Sequence, residues 1–174
     1  MRKIASLMWK GLIRLEQFTL IITGAFLTLL IFSEVILREL NLPLLGVEEL
    51  AKLFAFWLYF IGIAYATYNH THIIAGVTTT VLRSPKKLLV SRVIVSFISL
   101  VLCGYVITWG YEMLIWAIKE GGHSPLFLIP VIYFQVSIFI GITLMTFYFL
   151  VDFIREFRAL IKGNSKHWNT EGTR

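Results

Sequence analysis

The stretch LGVEELAKLFAFW, Leu45–Trp57, leads into a segment apolar enough to enter a bilayer, yet it begins with two adjacent glutamates. From Val47 to Tyr68 the only charges are Glu48, Glu49 and Lys52. About 20 apolar residues in a helix cross the roughly 30 Å hydrocarbon core of a membrane, so this segment reads as a membrane span with its charges gathered at one end. That reading decides the fold.

Three further stretches have the same character. Phe18–Leu37 is broken only by Glu34, Val93–Ile118 contains Glu112 alone, and Leu126–Val151 has no charge. Helix breakers separate them: NLPLLG at 41–46, RSPKK at 83–87 and EGGHSP at 120–125. The composition agrees. The chain of 174 residues is 57% hydrophobic and 15% charged, where a soluble domain carries about a quarter charged residues. Its net charge of +6 is spread around the apolar blocks rather than gathered on one surface, so nucleic acid is not an expected partner. The single cysteine, Cys103, lies in an apolar run and reads as a small buried residue.

The expected fold is therefore an all-α membrane protein. Residues 17–155 form a four-helix transmembrane domain, with spans about 18–38, 47–69, 90–118 and 126–154, and residues 156–174 form a tail. Residues 1–16 place Ile4, Leu7, Met8, Leu12 and Leu15 on one helical face with Arg2, Lys3, Lys10 and Arg14 mostly off it, the pattern of an interfacial amphipathic helix. Lys and Arg divide 13 to 3 in favour of the side holding both termini and the second connection. The positive-inside rule then puts both termini in the cytoplasm.

Within this frame the first turn of the second helix takes Glu48 and Glu49, where free amide N–H groups and the dipole favour carboxylates. Capping alone is a sufficient structural account of the pair. The same helix also projects Glu48, Ala51, Ala55, Gly62 and Ala66 within roughly 60° of one another, a small-residue stripe suited to close helix contact. Trp57 points to the opposite side and brings an indole N–H that needs an acceptor. Two protein-facing sides on one of four helices imply a partner chain. Arg38 follows Glu34 by four residues, and with Glu49 these are expected to form a structural polar cluster pinning helices one and two. Glu112 is expected near the outer face, and Pro130 to kink the fourth helix. A metal site is not expected: His70 and His72 lack further ligands nearby.

These residues also carry a resemblance. Arg38, then GVEELAKLFAFWLYFIGIAYA (46–66), His72-Ile73, and SPLFLIPVIYFQVSIFIGITLM (124–145) resemble the small membrane subunit of tripartite ATP-independent periplasmic (TRAP) transporters, the DctQ-like family, from about residue 18 to 155. One departure is Val47, where relatives often place an aromatic residue. The resemblance implies a multi-pass protein of the bacterial inner membrane that is not an enzyme and has no cofactor of its own. It implies a large multi-helix subunit that holds the substrate and sodium sites, a periplasmic substrate-binding protein, and substrates that are mostly organic acids. This chain is then a static scaffold in contact with lipid, its interface candidates being Glu48, Glu49, Ala51, Ala55, Trp57, Gly62, Ala66 and His72. Two other classes compete. A haem or quinone enzyme anchor needs facing histidines on different spans, and His70, His72, His123 and His167 do not supply them. A self-contained exporter needs an ionisable group at mid-depth, where the linear reading finds none.

Overall fold

The computed structural model describes residues 2–42, 45–69 and 85–161. It contains four helices: α1 (Arg2–Glu39), α2 (Val47–Tyr68), α3 (Pro85–Glu120) and α4 (Ile132–Ile161). Each includes a span long and apolar enough to cross a membrane. The chain is an all-α integral membrane protein.

Two elements differ from the linear reading. The amphipathic N-terminal segment is not separate, because α1 runs unbroken from Arg2 to Glu39. No proline interrupts Leu15–Phe18, and a lone Gly11 does not end a helix. The segment is also tied down: Trp9 packs against Tyr68, Phe147 and Tyr148, with ring centroids 5.9, 5.9 and 5.5 Å away. Pro130 does not kink α4 but precedes it. Residues Gly121–Val131 fold into a turn in which Ser124 N–H donates to the Ile129 carbonyl at 2.9 Å and Val131 N–H to that of Gly122 at 2.8 Å. A residue before proline disfavours the α region, so helix resumes only at Ile132.

The helices pack in the spatial order α1–α2–α4–α3, and among the described residues no other pair lies backbone to backbone. This is an open layer, not a closed bundle. In lipid no hydrophobic force drives helices together, so close backbone approach must do so. The α2–α4 seam shows it most sharply. A Cβ on Gly141 would stand 2.6 Å from both Cβ and O of Phe60, so only glycine admits this contact. The α3–α4 seam uses a heptad of buried small residues, Ser96, Cys103, Gly110 and Ala117. At its terminal end the Ser96 hydroxyl donates to buried Glu156 at 2.6 Å. Between α1 and α2, Phe26 meets Phe54 at 4.5 Å, and Gly62 lies against Leu20.

Burial is thin elsewhere. The best apolar windows of α1 and α3 are 6% buried, those of α2 and α4 17%. Many apolar side chains of these two edge helices are exposed, among them Phe18, Ile21, Leu29 and Phe32 on α1 and Leu102, Tyr105, Trp109 and Trp116 on α3.

These contacts predict a sharp contrast between two glycines. Gly141→Ala forces α2 and α4 apart and costs about 1–3 kcal/mol, the scale of overpacking. Gly104→Ala, with nothing within 4 Å of the new Cβ, is neutral or slightly stabilising. Thermal unfolding in detergent micelles checks both; equal midpoints contradict the seam.

Candidate functional site

The paired glutamates separate in the structure. Glu48 is exposed, whereas Glu49 is 8% exposed. Gly46, held in the left-handed region at φ 92°, turns the chain into α2. The Glu49 carboxylate then faces the α3–α4 connection. It accepts hydrogen bonds from the Ser124 hydroxyl at 2.6 Å and from the backbone N–H groups of Leu126 and Phe127, each at 2.9 Å. Ser124 Oγ in turn accepts from the Ile129 N–H at 3.1 Å. One side chain therefore fastens the start of α2 to a turn more than seventy residues later. Bonds of this kind to an ionised acceptor are among the stronger ones in proteins.

The expected cluster of Glu34, Arg38 and Glu49 does not form. Arg38 is exposed, Glu34 is half-buried, and among the described residues no ion pair joins any of the three. Two effects explain this. Glu49 is already saturated by fixed donors, and an exposed pair four residues apart gains only tenths of a kcal/mol while ordering two long side chains.

The stripe on α2 is only partly an outward surface. Gly62 is spent on α1, while Ala51, Ala55 and Ala66 are half-buried. Trp57 shares a helical face with the buried Ile61 and Ala64. It is itself half-buried, and among the described residues its indole N–H has no acceptor. The outward face of α2 carries Glu48, Lys52, Tyr59 and Ile63. His72, with His70, lies outside the described residues.

A second polar contact, at the end that carries the termini, escaped the linear reading. Glu16 is 3% exposed, and its Oε1 accepts the hydroxyl of fully buried Tyr148 at 2.5 Å. Its other oxygen is buried without a partner. Beside it Gln17 donates to the Tyr65 hydroxyl at 2.7 Å. The available signal was a seven-residue spacing, Trp9–Glu16–Thr23, that repeats on one face of α1. Gln135 is also buried, but its Oε1 has no partner and it makes no bond across the helices among the described residues.

Glu112 lies on α3 two turns before its end at Glu120. Gly110 beside it faces Phe139, and Gly141 one half-turn on lies against Phe60 of α2. At 1.5 Å per residue Glu112 stands about 12 Å along the axis from the end of α3.

Among the described residues no three His, Cys, Asp or Glu side chains gather as metal ligands. The arrangement is one of clamps and seams.

A family model for the DctQ component of tripartite ATP-independent periplasmic transporters matches residues 27–159, most of the chain. No curated protein and no solved structure matches it.

The two glutamates give a direct test. Glu49→Ala removes the acceptor of three hydrogen bonds, lowering the thermal midpoint in detergent and opening residues 121–131 to protease. Glu48→Ala changes stability by less than about 0.5 kcal/mol. Equal effects contradict the clamp.

Proposed function

The chain belongs to the DctQ component family of TRAP transporters, and from that premise we propose that it is a static scaffold held against the large membrane subunit. Membership makes it the small membrane subunit of such a transporter, a transport component rather than an enzyme. The observation that carries the finer reading is the open layer. Among the described residues α3 packs on α4 alone, α1 reaches α4 only through side chains at the terminal end, and many apolar side chains of the spans are exposed. A chain that worked alone would close its helices around a path. This one spreads them into a wall.

The chemistry of the seams supports the same role. Close backbone contact at Gly141 and the Glu49 clamp both resist relative motion of the helices they join. Transport by rocking or elevator motion needs helices that slide or broken helices that bind ions, and the four helices here are continuous. Substrate and sodium are therefore assigned to the large subunit, with organic acids as the substrate class and the bacterial inner membrane as the location. The lysine and arginine distribution puts both termini in the cytoplasm. Glu49 and the turn it fixes then face the periplasm, where exposed Glu48, Leu126 and Leu128 offer surface to a docked substrate-binding protein. Trp57, with its unanswered N–H, and His72 remain contact candidates for the large subunit.

Co-expression with the large membrane subunit of a TRAP transporter from the same source tests the proposal. A tagged copy of this chain retains a larger integral-membrane subunit at fixed stoichiometry, and vesicles holding this chain alone accumulate no organic acid. Solute accumulation by the isolated chain, or purification without any larger membrane protein, overturns it.

A further inference from the structure

The edge helix α3 has two unlike faces. One bears the small heptad Ser96, Cys103, Gly110 and Ala117, buried on α4. The opposite face carries Ile98, then Tyr105 seven residues on, then Trp109, Glu112 and Trp116 at intervals of four, three and four, and every member is exposed. Trp109 and Trp116 are 62% and 55% exposed. Tyr105 and Trp109 pack with centroids 5.5 Å apart and ring planes tilted by 51°. One carboxylate thus sits between two tryptophans on a helix long and apolar enough to cross a membrane, exposed on the side away from its own chain.

Three surroundings are conceivable, and two fail on physical grounds. Lipid leaves the carboxylate without a donor, and ionisable groups within spans are costly there. A second copy joined by a twofold axis sets the same patch against itself and brings Glu112 towards Glu112, adding like-charge repulsion. A different membrane helix that brings a cation satisfies the charge, and the flanking indoles supply the large, rigid contacts typical of interface hot spots. We therefore propose that the Tyr105–Trp109–Glu112–Trp116 face of α3 is the seam to the large subunit, and that a membrane helix of that subunit sets an arginine or lysine against Glu112. This rests on the scaffold reading and adds which helix, which face and which charge.

The test uses the full chain co-expressed with its partners. A photo-reactive residue in place of Trp109 forms a crosslink to the large subunit. Glu112→Lys lowers the large subunit retained by the tagged chain roughly tenfold, the scale of one strong polar contact between membrane helices. Glu112→Gln lowers it less and Glu112→Asp keeps most of it. The side chain is exposed in this chain, so all three variants keep wild-type helicity and thermal midpoint when purified alone. If the wild-type complex forms but residue 109 crosslinks only to lipid or to another copy, the α3 assignment is wrong and the scaffold reading survives. Wild-type retention by Glu112→Lys or full equivalence of Glu112→Gln also overturns the charge pairing. If the wild-type chain retains no larger subunit, both fail together.

Discussion

A carboxylate at the mouth of a membrane helix must reach water or be saturated with donors, and Glu49 takes the second course. Its three bonds reach Ser124, Leu126 and Phe127, so the start of α2 and the turn before α4 become one unit. Two further fixings tie α4 to its neighbours. Gly141 seats directly on the backbone of Phe60 in the apolar middle. At the terminal end Tyr148 of α4 donates to Glu16 of α1, across the ring of aromatic contacts around Trp9 and Tyr68. The α2–α4 pair is therefore a spine to which α1 and α3 are attached on either side.

That construction follows from the solvent. Hydrocarbon does not push apolar helices together, so association must come from close packing and polar bonds. Each seam supplies one or the other: small residues between α3 and α4, glycine against phenylalanine between α2 and α4, paired phenylalanines between α1 and α2. The threonine and serine hydroxyls of the spans mostly bond to carbonyls of their own helix and do not link helices, as at Thr28, Thr67 and Thr143. What is left outward is a broad apolar surface broken by the carboxylate of Glu112. A subunit of a larger transporter needs such a surface; a self-sufficient carrier does not.

Much of this was legible in the sequence because it is local. Run length and breakers identify four spans. The capping reading of the Glu-Glu pair does not hold, because α2 starts from Gly46 with no side-chain cap hydrogen bond and the Glu49 carboxylate is taken by the turn before α4. Which glutamate turns inward was not legible, since neighbours on a helix differ by about 100° and the deciding partners lie in a distant turn. The Arg38 cluster failed for the same reason: spacing four apart describes what is within reach, not what else competes for Glu49. Tyr148 and Glu16 are 132 positions apart, and no periodicity links them. Pro130 was correctly a breaker but stands before its helix rather than inside it, because the Gly121–Val131 turn takes up residues that look like membrane span by hydropathy alone.

The central claim is that these four helices do not move against one another while the transporter works. The direct test is to lock them. In a chain lacking Cys103, cysteine pairs placed across the α1–α2 and α2–α4 seams are oxidised to disulfides within the assembled transporter, and solute uptake is followed before and after. The account predicts uptake unchanged by locking. Uptake that stops on oxidation and returns on reduction would show that the wall itself moves, and would contradict it.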